Sequence, residues 1–195
     1  LVESNGTQWT GGLSRPVGLT RTDTKTGKSI TFKHNTSDPT SLTDDKVYSV
    51  YRDRKKNLWV GTINGLDRLD EKTGKLIHFR HDPNNSNSLP DNWIWPIYED
   101  SHGNLWIGTV RGGVSKFDPT SNTFVNFSYN PDDPTSINDN FIFSIYEDRG
   151  GIIWIGTNTG GVNYFHPASQ VFERLTNSPS DKNSLSDNAV LAIQS

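Results

Sequence analysis

The polar and apolar positions of this chain fall into short alternating runs, and the runs recur. In "LWIGT" (105–109) Leu105, Ile107 and Thr109 point to one side of an extended strand and Trp106 and Gly108 to the other. Apolar groups on both sides predict a strand covered on both faces, as in a sheet stacked between two others. Gly108, beside Trp106 on the same face, leaves room for bulk from the next sheet. The runs at 141–148, 105–109, 114–118 and 123–129 are rich in β-branched and aromatic residues and are bounded by Gly, Asn, Asp and Pro, which predicts strands joined by tight turns. No stretch has a helical period of useful length.

The same sentence is written several times. "YEDSHGNLWIGTVRGGVSKFDP" (98–119) returns as "YEDRGGIIWIGTNTGGVNYFHP" (146–167) and as "YRDRKKNLWVGTINGLDRLDE" (51–71). Trp59, Trp106 and Trp154 are spaced by 47 and 48 residues, and Trp9 in "ESNGTQWTGG" stands 50 before Trp59. The pairs Ser41-Leu42, Ser88-Leu89, Ser136-Ile137 and Ser184-Leu185 keep the same period. Four short antiparallel strands in about 45 residues describe a propeller blade. The expected fold is therefore all-β: β-propeller blades in four tandem repeats, roughly 1–42, 43–89, 90–137 and 138–185. Residues 186–195 would be the inner strand of a further blade or of the first. A closed four-bladed ring and an arc of a larger propeller both fit, and the abrupt ends favour the arc. An arc would expose two blade faces, for which self-association is one remedy. Asp53, Asp100 and Asp148, recurring one per blade, are expected to cap the turn that follows each.

Composition narrows the classes. Net charge is −3 with no lysine/arginine cluster, which argues against a nucleic-acid partner. No apolar run approaches the roughly 18 residues of a membrane span, so no membrane contact is expected of this segment. With 31% hydrophobic residues the core is lean, and the aromatics, 11% of the chain, must carry much of it. The chain has no cysteine, hence no disulfide or thiolate metal site, which suits a periplasmic or extracellular bacterial protein and excludes no compartment. It has no methionine and opens on "LVESNG", and is expected to be an internal segment of a longer protein.

The combination "SLxDN…SIYED…GxLWIGT…GGVxxFDP…F" resembles the two-component regulator propeller repeat. The resemblance covers essentially the whole chain as four copies. It implies the periplasmic sensor region of a hybrid two-component system of the kind found in gut Bacteroidetes. There the blades lie ahead of a β-sandwich, a membrane helix and a kinase, and carbohydrate breakdown products are sensed. Two copies depart from the pattern: "TGGLSRPVGL" carries a three-residue insertion around Arg15, Pro16 and Val17, and "GTINGL" has one glycine fewer.

Catalytic readings find little support. "EDSHGNLW" resembles the Asp-box of sialidases, but its Asp-to-Gly spacing is three residues instead of two, and that box is a structural turn. "LDEKTGK" and "TDTKTGK" are similar to outer turns of quinone-dependent dehydrogenases, yet such turns are generic. A streptogramin-lyase arrangement needs clustered His and Glu, whereas His34, His78, His81, His102 and His166 are scattered. The acidic loops "HDPNNSNSLPDN" and "NPDDPTSINDN" lack the ligand ladder of a calcium loop and read as solvated turns. No enzyme activity, cofactor or metal is expected of this segment.

Positions that differ between copies are free to do local work. The first residue of the inner strand is Lys46, Trp93, Phe141 or Ala189, and two further on stands Tyr48, Trp95, Phe143 or Leu191. The turn after "GT" carries Asn64, Arg111 or Asn158, with Arg15 in the expanded first copy. Propeller connectivity puts both places on one face around the channel. Aromatic faces cover the C–H side of a pyranose and planar polar groups read its hydroxyls or carboxylates. The expected ligand site is thus Trp93 with Arg111, then Phe141, Lys46, Trp95, Asn64, Asn158 and Arg15, and the expected ligand an oligosaccharide. Trp93 and Trp95 could instead fill the channel, leaving a structural or protein-docking arc. The other expected partners are further blades or domains of the parent sensor.

Overall fold

The computed structural model describes residues 1–12, 16–167 and 169–193. Every regular element in it is a strand. The first sheet has three, β1 (Thr7–Thr10), β2 (Leu19–Asp23) and β3 (Ser29–Phe32). The second runs β4 (Val47–Arg52), β5 (Leu58–Thr62), β6 (Gly65–Asp70), β7 (Lys75–Phe79). The third runs β8 (Ile94–Glu99), β9 (Leu105–Thr109), β10 (Val114–Asp118), β11 (Thr123–Phe127). The fourth runs β12 (Ile142–Glu147), β13 (Ile153–Thr157), β14 (Val162–His166), β15 (Val171–Leu175). Within each sheet sequence neighbours pair antiparallel, the meander of a propeller blade. The inner strands β4, β8 and β12 lie side by side across successive blades.

The core is divided into three, each part lying between two sheets. Trp59 and Leu66 of the second blade pack with Ile94, Ile107, Phe117 and Phe124 of the third. Trp106 and Val114 of the third pack with Ile142, Ile155, Phe165 and Phe172 of the fourth. Trp9 and Leu19 of the first meet Val47, Val60, Leu69 and Leu76 of the second. The ring of Trp59 meets Phe117 edge-on at 5.1 Å, and that of Trp106 meets Phe165 at 5.3 Å.

The glycine after each tryptophan permits this approach. A Cβ on Gly61 would lie 2.8 Å from Ile94 Cγ2, and one on Gly108 would lie 2.7 Å from Ile142 Cγ2. No side chain fits there without parting the blades.

The capping aspartates satisfy both the turn and the indole. Asp100 Oδ1 accepts from the Asn104 amide (2.8 Å) and Oδ2 from Trp106 Nε1 (2.9 Å). Asp53 does the same for Asn57 (2.7 Å) and Trp59 (2.9 Å), and Asp148 bonds Trp154 Nε1 at 2.8 Å. The bond from Trp154 is the leading reason that the Asp148 carboxyl is held below its ordinary value. The recurring serines close the crossover loops between blades: Ser41, Ser88, Ser136 and Ser184 each accept from an amide six residues back, at 2.9, 2.8, 3.1 and 2.8 Å.

Two features of the chain ends bear on closure. Leu1 and Trp9 exchange backbone bonds of 3.1 and 2.9 Å, so the first residues occupy the edge of β1 where an inner strand belongs. At the other end residues 186–193 form no strand, but the Val190 amide donates to Thr157 O (2.9 Å) and Val190 sits on Gly156 as Ile142 sits on Gly108. Among the described residues no strand pairing joins this segment to the first sheet, and the blades form an open arc.

Trp106→Ala should cost about 3–5 kcal/mol in denaturant unfolding, as a fully buried aromatic removed from between two blades. Trp154→Ala should cost clearly less, because its indole is only half-buried and, among the described residues, no further sheet covers it.

Candidate ligand face on the inner strands

The three complete inner strands share an irregularity that builds this face. Pairing skips a register between Val47 and Ser49, between Ile94 and Ile97, and between Ile142 and Ser144. Each is a β-bulge, and the residues left unpaired are Tyr48, Trp95 with Pro96, and Phe143. A bulge bends its strand and re-aims a side chain, and it tolerates a proline that can donate to no ladder.

The re-aimed side chains meet. Tyr48 contacts Trp93 (5.7 Å between ring centroids) and Trp95 (5.1 Å). Trp95 also contacts Phe141 and Phe143, each at 5.7 Å, and those two lie 4.4 Å apart. Five half-buried aromatic rings thus run continuously across three blades. The guanidinium of Arg111 stands over Trp93, 5.9 Å from the ring centroid. Trp93 Nε1 is shielded from solvent and has no acceptor.

The turns after "GT" are tied to this row by the backbone. The Val110 amide donates to Trp93 O and the Asn158 amide to Phe141 O, both at 3.1 Å. The Arg111 amide donates to Asp91 Oδ2 (3.1 Å), and Asp139 Oδ2 takes the amide and hydroxyl of Thr159 (2.6 and 2.8 Å).

The structure therefore brings together Trp93, Trp95, Phe141 and Arg111, with Asn158 beside Phe141. Lys46 is exposed at the start of the second blade's inner strand, its amide on Asp44 Oδ1 (2.8 Å). Asn64, exposed in the equivalent turn, bonds Thr62 Oγ1 through its amide (3.0 Å). Arg15 lies outside the described residues. Tyr48 and Phe143 complete the row and were legible only as variable positions. Their membership depends on bulges that no local pattern announces.

Two of the histidines fasten crossover loops. His34 Nδ1 and His81 Nδ1 lie 2.7 Å from Leu42 O and Leu89 O, the same bond in successive crossovers. Among the described residues no group of three His, Asp or Glu could hold a metal ion.

Known proteins agree with this architecture. The two component regulator propeller model matches residues 41–64, 88–111 and 136–159, one stretch at the head of each of the second, third and fourth sheets. Each match runs from the Ser-Leu or Ser-Ile pair through the inner strand and "GT" strand to the turn, the same segment that makes the aromatic face. Among solved structures, the extracellular domain of the hybrid two component system BT3049 from B. thetaiotaomicron is 28% identical, with a TM-score of 0.71 over 87% of this chain and 22% of that one. The corresponding domain of BT4673 from the same organism is 25% identical, with a TM-score of 0.71 over 90% of this chain and 24% of that one. This chain spans less than a quarter of either domain. Virginiamycin B lyase from Staphylococcus aureus, 14% identical with a TM-score of 0.66 over 94% of this chain and 56% of that one, shares the fold. No curated protein matches the sequence.

Trp95 touches three rings of the row and Trp93 one, and an aromatic pair contributes about 0.5–1.5 kcal/mol beyond burial. Trp95→Ala should therefore destabilise the chain by about 1–3 kcal/mol more than Trp93→Ala, read from urea midpoints.

Proposed function

We propose that this chain is a non-catalytic, ligand-sensing part of the periplasmic region of a bacterial hybrid two-component sensor, and that its inner face binds an oligosaccharide. The carrying observation is the row of five rings across three blades with Arg111 at its edge. An aromatic ring face matches the apolar face of a pyranose, and a guanidinium beside it offers paired donors to hydroxyls or a carboxylate. An extracytoplasmic location is supported by the likeness to two extracellular domains of hybrid two component systems. The lyase likeness bears on fold alone.

Sensing would work by population shift. The strands that carry the rings also carry Val47, Ile94 and Ile142, which lock onto the glycine of the preceding blade. A ligand that prefers one packing of these strands moves the blades toward it.

A second reading has its own observation. Trp95 is already occupied by three neighbouring rings and Trp93 by Arg111, as in a row that only glues blades together. On that reading the segment is a structural or protein-docking arc without a ligand of its own.

Calorimetric titration with a panel of plant and host oligosaccharides separates the two. The sensor reading expects saturable binding weakened about tenfold or more by Trp93→Ala and by Arg111→Ala, roughly 1.4 kcal/mol each. Binding indifferent to both substitutions would discard this face as the site. No binding to any sugar by a folded sample would leave the docking arc.

A further inference from the structure

The outer strand of each complete blade reaches back to hold the crossover loop that enters that blade. The holding residues are equivalent in the repeat: His78 on β7, Asn126 on β11 and Arg174 on β15. Each approaches a loop carbonyl at the equivalent place, His78 Nε2 at 2.8 Å from Pro39 O, Asn126 Nδ2 at 3.0 Å from Ser86 O, and Arg174 Nη2 at 3.2 Å from Pro134 O. Asn126 and Arg174 are donors at every ordinary pH. His78 is a donor on both nitrogens only when protonated.

Its other nitrogen meets a buried acid. Nδ1 lies 2.7 Å from Oδ1 of Asp67, which is wholly buried on β6. The equivalent residues of the next blades are uncharged, Ser115 bonded to Asn126 and Asn163 bonded to Asn138. Asp67 Oδ2 in turn accepts from the amide (2.9 Å) and hydroxyl (2.8 Å) of Thr43, at the end of the held loop. Thr43 Oγ1 is 2.9 Å from Thr62 Oγ1, which accepts from the Asn64 amide at 3.0 Å. An unbroken chain of bonds joins the outer edge of the second blade to the turn on its inner face.

The geometry points to a proton-dependent latch. Protonated His78 clamps the crossover 35–43 onto the second blade through Asp67 and Pro39 O, while the crossovers into the third and fourth blades are held whatever the pH. With His78 neutral, Nδ1–H can still serve Asp67, but Nε2 then turns a lone pair toward Pro39 O at contact distance.

Other charges around the imidazole set where it titrates. Arg80, just past the end of its strand, opposes the proton, and the crossover brings Asp38 and His34 to the same cleft, a cavity of about 320 Å³. Lys75, at the start of β7, acts on Asp38. The bond to Asp67 outweighs burial and Arg80, and raises the imidazole above its ordinary value of 6.5. A raised folded value means the latch is complete below the unfolded value and is lost as pH rises through the folded one.

Two crossover bonds serve as matched reporters: the Leu76 amide on Thr40 O (2.9 Å) and the Phe124 amide on Asn87 O (2.8 Å). Amide exchange of the 195-residue chain is followed from about pH 6 to about pH 9, with His78 titrated by NMR in the same samples. Protection at Leu76 should fall about fivefold or more relative to Phe124 across that range, centred on a His78 midpoint above 6.5. His78→Asn, which copies the residue at Asn126, should make the ratio flat. A constant ratio in the unaltered chain, the same fall in His78→Asn, or a His78 midpoint at or below 6.5 would each overturn the latch. The midpoint and the ratio are read without the substitution, so they decide the matter even if the variant folds poorly. Neither readout involves a sugar, so the latch stands or falls apart from the ligand.

Discussion

A tryptophan that must be buried while its N–H is satisfied governs this structure. No single blade can do both. Its own aspartate supplies the acceptor from the turn before the strand, and the next blade supplies the ring that covers the indole. The unit of stability is thus the interface between blades, which is why the core falls into three separate clusters. The same logic extends to charge. Glu99 accepts from the Arg54 amide of the preceding blade at 2.8 Å, and Glu147 takes the Ser101 hydroxyl at 2.6 Å, so each blade caps its neighbour's turn as well as its own. At the first interface the roles are exchanged. Glu3 stands where the other blades have aspartate and Arg52 where they have glutamate, and the two pair at 2.6 Å with Glu71 closing the other side of the guanidinium. The exchange leaves Trp9 Nε1 without an acceptor, a visible cost of breaking the pattern.

The inner strands serve two surfaces at once. Residues such as Ile94 and Ile142 press against the glycine of the blade before, while the bulged residues turn inward to form the aromatic row. Anything that moves the row must move the interblade lock, because they are neighbours on one strand. This coupling gives the proposed sensor its lever, and it needs no hinge. The crossover loops complete the frame, fastened at their outer ends by His78, Asn126 and Arg174 and at their inner ends by the first residues of the strands.

Much of this was legible in the sequence, for reasons that can be named. The period appears because each blade solves the same packing problem, so Trp59, Trp106 and Trp154 recur with their aspartates and glycines. Gly108 could be read as a gap for a neighbour because two apolar faces on one strand demand two neighbours. The pairing of Trp93 with Arg111 followed from comparing variable positions across copies. What could not be read was non-local. The bulges that expose Tyr48 and Phe143 depend on cross-strand register, and the glutamate caps depend on a blade some 45 residues away. Nor could the exchange of Glu3 and Arg52 be read, since they stand 49 residues apart and are joined only by the fold.

The tryptophans divide into those that hold blades together and those that form a surface. Hydroxyl-radical footprinting with residue-level mass spectrometry tests that division directly. Trp9, Trp59 and Trp106, each 1% exposed, should be protected, and Trp93 and Trp95 should be labelled in the same sample. Trp154, half-buried like Trp93 and Trp95, should be labelled as well. Labelling of Trp59 or Trp106 as fast as Trp93 would contradict the account, since the interfaces would then not be where the fold is held.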